Sequence, residues 1–440
     1  MHTKHIDLIM LTVLLGYFII LVDTSLVFTC SNQIGQSFAM STNTATWISN
    51  AYALTFGSLL LVGGRLGDLY GRRRIFITGL IIFGLSSLSV GLAQTSWWLI
   101  GSRAIQGIGA AIIAPATLAI ILDNYQGSRQ AHAITIYGAM SGIGVSLGLI
   151  IGAGITTLLS WRYGFLINVP ITLVLILLTR RVIPEPATAH FRLDWLGTVT
   201  SFLSIVALIN GINGYGDKVL SLCLGLGLGA AFLRHEMVAT APLIPRQIFK
   251  LAQRRQAYLI RFFYSAAITG FWFFTPRVLQ SLYGLSPILV GISFLPMTLV
   301  NFISAKQVDR LARRWGNRRL LLVGLGIALL GFAGLLGIHT AGNFWLTVAV
   351  PMILIGYGQG LVLSPVTTLA IDGLDSAVAG IGSSLINVML QIGGVTGLAV
   401  LATLFGQQTP VTAYHSEVWG IIGFVGLSLL LAVKLVWDNR

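Results

Sequence analysis

The stretch Gly64-Arg65-Leu66-Gly67-Asp68-Leu69-Tyr70-Gly71-Arg72-Arg73-Arg74 constrains this chain more than any other. It separates two long apolar runs. Four arginines and an aspartate do not lie in hydrocarbon, so they mark a boundary with water. The glycines permit a tight, close-packed turn. A second version returns as Asp309-Arg310-Leu311-Ala312-Arg313-Arg314-Trp315-Gly316-Asn317-Arg318-Arg319. One charged hairpin written twice points to two related halves in a membrane.

Composition agrees. The chain is 55% hydrophobic and only 9% charged, where a soluble domain carries about a quarter charged residues. Mean hydropathy is +0.86, as in a polytopic membrane protein. The net charge of +14 sits in short clusters between apolar runs. That is a topology signal and not a nucleic-acid stripe, so the partner it implies is the lipid bilayer. Cys30 and Cys223 lie far apart with no CxxC spacing and imply neither a disulfide framework nor a metal site. The first apolar run, from Ile6 to Phe28, exceeds a signal-peptide core of about 7–15 residues and is expected to be a retained span.

A membrane helix needs about 20 mostly apolar residues. Runs of that kind cover 8–28, 45–64, 75–93, 97–121, 133–158, 162–180, 195–213, 219–234, 257–276, 286–305, 319–338, 343–363, 380–404 and 417–436, which predicts fourteen spans. With both termini cytoplasmic, 23 Lys and Arg fall inside, and Arg103, Arg162, Lys218 and Arg277 alone fall outside or in spans entered from outside. Each hairpin lies between the second and third spans of a six-span set. Pro115-Ala116-Thr117-Leu118-Ala119-Ile120 ends span 4 and Pro365-Val366-Thr367-Thr368-Leu369-Ala370-Ile371 ends span 12, each followed by an aspartate, Asp123 or Asp372. The expected order is a six-helix bundle over 1–181, two linker helices and a cytoplasmic loop over 182–256, and a second six-helix bundle over 257–440. The basic loop 234–256 either follows the inner membrane surface or is a solvated linker.

With these features the chain resembles the major facilitator superfamily, specifically its fourteen-span drug:proton antiporter branch (EmrB/QacA-like). The 64–74 hairpin is similar to the family's loop 2–3 motif. Arg103-Ala104-Ile105-Gln106-Gly107-Ile108-Gly109-Ala110-Ala111 resembles its span 4 motif, and Leu21-Val22-Asp23-Thr24 its span 1 motif. Trp161-Arg162-Tyr163-Gly164-Phe165-Leu166-Ile167-Asn168-Val169-Pro170 resembles the segment opening span 6. Departures are Phe28 and Asn32 after the span 1 motif, Leu149 after Gly148, and Arg313 at the counterpart of Asp68. The resemblance implies the major facilitator fold, all-α, and a link between Arg103 and proton coupling.

Several residues are candidates for the chemistry. Asp23 reads as the one acid well inside a span. It shares a helical stripe with Thr12, Gly16 and Cys30, expected to face a central cavity. It is either a proton-binding group or a structural acid paired with an arginine. Arg103 shares a stripe with Gly107, Ala110, Ala114 and Thr117. It points to the cavity or an acid, or snorkels from the helix end. Gly64, Arg65, Gly67, Asp68, Gly71, Arg72 and Arg73 form either a gating latch or a topology signal, with Asp123 as a partner for Arg72 or Arg73. The paired glycines of span 5, Gly138 and Gly142, Gly148 and Gly152, read as packing. Tyr264, Phe271 and Trp272 could line an aromatic pocket or face lipid. Asn387 and Gln391 could bond a substrate or another helix. Trp97 and Trp98 read as interface anchors.

No HExxH, GxSxG or Gly-x4-Gly-Lys-Ser/Thr signature is present, and the 7 histidines are scattered. The expectation is a transporter and not an enzyme, without a cofactor, working as a monomer in the cell membrane. An ion gradient would drive it. The leading reading is proton-coupled export of amphipathic, cationic compounds by alternating access. The alternative is proton-coupled transport of a defined metabolite, an amino acid or organic anion, on the same fold.

Overall fold

The computed structural model describes residues 2–184, 194–213, 217–239, 243–244, 246–339, 343–374, 376–405 and 410–437. The described residues contain helices and no strands. In chain order the α-helices are α1 (His2–Ser37), α2 (Thr42–Tyr70), α3 (Arg72–Gly91), α4 (Ser96–Asn124), α5 (Gly127–Leu158), α6 (Trp161–Leu166), α7 (Asn168–Val182), α8 (Trp195–Asn213) and α9 (Lys218–Val238). They continue as α10 (Ala252–Tyr283), α11 (Pro287–Ser293), α12 (Leu295–Trp315), α13 (Asn317–Gly334), α14 (Val350–Ile371), α15 (Ser376–Phe405) and α16 (Pro410–Trp437).

Among the described residues, 12 helical stretches are long and apolar enough to cross a membrane. Their exteriors are greasy: Leu85, Leu330 and Leu430 are all exposed. A water-soluble protein would hide such side chains, whereas lipid welcomes them. Trp97, Trp98, Trp195, Trp345 and Trp437 stand exposed near helix ends, where indole rings favour the headgroup level. The protein is a multi-pass membrane protein.

Several helices outrun the apolar segments that predict them. Hydropathy falls at the first polar residues, but the backbone ladder continues through good helix formers such as Ala, Leu, Gln and Arg. α10 therefore begins at Ala252 and α16 at Pro410. One correction follows. Glu417 lies eight residues into α16 and is 5% exposed, so Asp23 is not the only acid inside a membrane helix.

The chain divides into two compact units. The first comprises Met1–Leu208 and Cys223–Leu243, the second Ile209–Leu222 and Ile244–Arg440. The linker helices α8 and α9 are thus shared out between them. Ser204 Oγ donates to the Gly225 carbonyl at 2.7 Å, and Asn210 Nδ2 to Ser221 Oγ at 3.0 Å. At their other ends, His235 Nε2 meets Asp194 Oδ1 at 2.8 Å.

In the first unit α4 is the packing hub, lying against α2 and α3. Pro115 has no N–H to give the Ala111 carbonyl. That oxygen faces Gly63 on α2, where any Cβ would collide with it. α1 lies on α5 through Gly148 and Gly152, whose added Cβ atoms would meet Val22 Cα at 2.7 Å and Leu26 Cα at 2.9 Å.

In the second unit α10 packs on α15 and α16, and α13 on α14. Its core is aromatic. Phe271 lies 5.6 Å from Trp272, from Phe294 and from Phe332, and Trp272 stacks on Phe294 at 4.9 Å, all between centroids. Phe271 and Trp272 do not face lipid: they are 0% and 7% exposed, packed by edge-to-face and stacked rings between helices.

Candidate functional site: a buried ion pair

The first unit holds a polar cluster inside an apolar bundle. Asp23 on α1 and Arg103 on α4 are each 1% exposed. Arg103 Nη1 donates to Asp23 Oδ2 at 2.5 Å. The same nitrogen reaches Gln106 Oε1 at 2.5 Å, and Nε donates to the Ile48 carbonyl at 3.1 Å. Gln106 Nε2 in turn donates to Asp23 Oδ1 at 2.8 Å and to Ser87 Oγ at 2.7 Å. Asn168 Nδ2 completes the carboxylate's shell, 3.0 Å from Oδ1.

The helix geometry explains each donor. Arg103 and Gln106 stand three residues apart on one face of α4. Asn168 is the first residue of α7, just past the break at Ile167. Pro170 makes that break: lacking an N–H, it cannot bond the carbonyl of Leu166, where α6 ends. α4 can approach α2 because Gly107 carries no side chain; a Cβ there would run into Thr55 Oγ1 and the Tyr52 carbonyl. The guanidinium carbon of Arg103 then sits 4.3 Å from the Tyr52 ring centroid and 5.5 Å from that of Phe165.

Two charges taken out of water carry a desolvation cost of several kcal/mol each. Three side-chain donors on one carboxylate and two aromatic faces on one guanidinium offset it. The cluster exists as a satisfied set, and removing one charge strands the other. The stripe of Thr12 and Cys30 is fully buried, and Gly16 abuts Phe76 of α3. In this conformation the Asp23 face of α1 therefore meets neighbouring helices of its own unit. Asp23 and Arg103 stand out in the sequence by their charge. Gln106 and Asn168 lie within the span 4 and span 6 motifs, which do not mark them as donors, and Ser87, Tyr52 and the Ile48 carbonyl carry no signal beyond their apolar surroundings.

The hairpin forms a second constellation. Gly71 has φ +90° and caps the start of α3, and Gly64 lies against Pro115. Arg72 pairs with Asp123 and donates to the Ala119 carbonyl at 2.8 Å. Arg73 reaches the Arg180 carbonyl at 2.7 Å. Gly67 is buried and Arg65 half-buried. The Asp68 side chain lies outside the described residues.

The repeated hairpin is wired differently. Gly316 has φ +78° and caps the start of α13, as Gly71 caps the start of α3. Arg318 bonds Gln253 Oε1, and Gln253 Nε2 donates to Asp372 Oδ2 at 3.2 Å. Arg254 Nε and Nη2 hold the Asp372 carbonyl at 3.0 and 2.8 Å. An amide thus stands where the first hairpin has a direct ion pair. Of the remaining candidates, Tyr264 is 1% exposed, its hydroxyl without a partner among the described residues. Asn387 is exposed and Gln391 half-buried on α15.

The chain is 33% identical to the "Cephamycin export protein CmcT" of Amycolatopsis lactamdurans, over 96% of this chain and 90% of that protein. It is 32% identical to the "Puromycin resistance protein pur8" of Streptomyces alboniger, over 98% and 91% respectively. The crystal structure of a D-xylose-proton symporter superposes with a TM-score of 0.72 at 14% identity, covering 99% of this chain and 98% of the symporter, which shows a shared fold. The family profile named Major Facilitator Superfamily matches residues 13–398, and this protein belongs to that superfamily of membrane transporters.

Proposed function

We propose that this protein exports amphipathic, cationic drugs or toxic compounds from the cell in exchange for protons. The observation that carries the proposal is the buried Asp23–Arg103 pair, a satisfied charge cluster inside an apolar bundle. Intramembrane ionisable groups of this kind mark ion and proton pathways. The export and resistance names of the relatives supply the direction.

The pair works as a two-state element. With Asp23 charged, Arg103, Gln106 and Asn168 close on it. When a proton neutralises Asp23, the charge attraction on Arg103 is lost, and only Gln106, the Ile48 carbonyl and two ring faces still hold the guanidinium. A proton and a cationic substrate then compete for one negative charge, and the cycle couples their opposite movements. The proton gradient supplies the energy, with no cofactor. The Arg72–Asp123 contact acts as a latch that favours one state of an alternating-access cycle. The helices α2 and α5, of 29 and 32 residues, are spans as well, which makes fourteen. Both termini face the cytoplasm, the host is the cell membrane, and the monomer is the working unit.

The test is transport in proteoliposomes carrying purified protein and an imposed pH gradient. Cationic dyes, antibiotics and metabolites are presented in turn. Dye accumulation against its own gradient, driven by protons, supports the reading. Gradient-driven movement of an amino acid or organic anion alone overturns it in favour of a metabolite carrier.

A further inference from the structure

The second unit holds a buried acid of a different kind. Glu417 on α16 is 5% exposed. Unlike Asp23, its carboxyl makes no hydrogen bond and no ion-pair contact among the described residues. One positive charge acts on it through space, that of Arg277 on α10. Arg277 is half-buried and leans over the Phe273 ring, 5.6 Å from its centroid.

The other described polar groups near this end of α16 have their own partners. Tyr414, one turn earlier on α16, has its hydroxyl 3.1 Å from Thr275 Oγ1. Tyr283 at the end of α10 engages Thr347 at 3.2 Å. His415 turns to the Ile338 carbonyl at 2.8 Å. α15 carries no titratable residue, and the arginines of α13, Arg318 and Arg319, lie at that helix's first turn, by the hairpin.

A buried acid with no donor among the described residues is costly when ionised. Its neutral form needs far less, and the charge of Arg277, acting through space and in no direct contact here, would steady the charged form if the side chains swing together. That is the arrangement of a group that changes its protonation, not of a fixed structural pair. We propose that Glu417 is a second proton-exchanging carboxyl of the transport cycle, with Arg277 as its charge partner. The Glu417 O–H bond breaks, the proton leaves to water, and the electron pair left on oxygen is balanced by Arg277. The proposal rests on the antiport reading above.

The test uses the purified full chain in lipid vesicles, with ethidium as the transported probe. Infrared difference spectra across pH should show a protonated-carboxyl stretch that titrates away in the wild type, is missing in Glu417→Gln and persists, shifted, in Glu417→Asp. Ethidium accumulation is then measured on a gradient of about one pH unit with the membrane potential clamped to nil. Each coupled proton multiplies the accumulation ratio by about tenfold there, so Glu417→Gln should lose about that factor. Efflux of ethidium down its own gradient should continue, which shows that the variant is folded. A carboxyl band unchanged by Glu417→Gln overturns the proposal, and so does an unchanged accumulation ratio. If the wild type moves no ethidium on a pH gradient, the antiport reading fails, while the infrared band still reports on Glu417.

Discussion

Arg103 and Asp23 sit eighty positions apart in the chain, yet their side chains meet at 2.5 Å with almost no access to solvent. Cutting this pair should therefore do two separable things. Asp23→Asn should lose gradient-driven accumulation and flatten the pH dependence of substrate binding. It should also strand Arg103, costing roughly 3–5 kcal/mol of stability. Arg103→Gln/Asp23→Asn, with both charges gone, should recover stability but not coupling. Thermal unfolding in detergent and vesicle transport read the two effects. A single Asp23→Asn variant that still accumulates substrate with unchanged pH dependence would show a purely structural acid.

The latch prediction concerns Asp123. The Arg72–Asp123 contact is partly exposed, at 24% and 34% of the two side chains, so its loss should cost no more than about 1 kcal/mol of stability. Asp123→Asn should reach the membrane at normal level and turn over slowly. Normal turnover would leave the hairpin as an orientation signal only.

Two glycines of α5 separate packing from propensity. A methyl at Gly148 meets Ser25 Oγ and Val22 Cα, while one at Gly154 meets nothing within 4 Å. Gly148→Ala should destabilise the protein by about 1–3 kcal/mol. Gly154→Ala should be neutral or stabilising by up to about 1 kcal/mol, since alanine favours helix. Equal melting temperatures for the two would contradict the α1–α5 contact.

Topology is testable with single cysteines after replacement of the exposed Cys223. Gln36→Cys and Leu159→Cys, both at exposed positions, should react with an impermeant thiol reagent added outside intact cells. Tyr70→Cys, at the exposed first hairpin, should react only after the cells are opened. Reversed labelling would invert the orientation.

Much of this was readable from residue order alone, because a bilayer permits few solutions. Runs of apolar residues predict helices, and the hairpin arginines predict their ends. Asp23 and Arg103 are conspicuous because charge in an apolar run is expensive. Gln106, Ser87 and Asn168 are uncharged and cheap to bury once bonded, so nothing in their local sequence distinguishes a donor to Asp23 from a helix contact. Asn168 comes to Asp23 across 145 positions, a separation that periodicity does not read. Glu417 escaped for the opposite reason: it stands where a hydropathy window opens, and only the full length of α16 places it inside. Phe271 and Trp272 look the same in sequence whether they line a pocket, face lipid or fill a core.

The two hairpins also differ in what the surrounding solution can do to them. A part-exposed ion pair such as Arg72–Asp123 weakens as mobile ions accumulate around it, over a screening distance of about 8 Å at physiological ionic strength. The amide of Gln253 carries no net charge, so the link from Arg318 through Gln253 to Asp372 is far less exposed to that screening. A rise in salt around the hairpins would therefore weaken the Arg72–Asp123 contact more than the link through Gln253. One amide, that of Gln253, thus makes the two repeats unequal in how strongly dissolved salt acts on them.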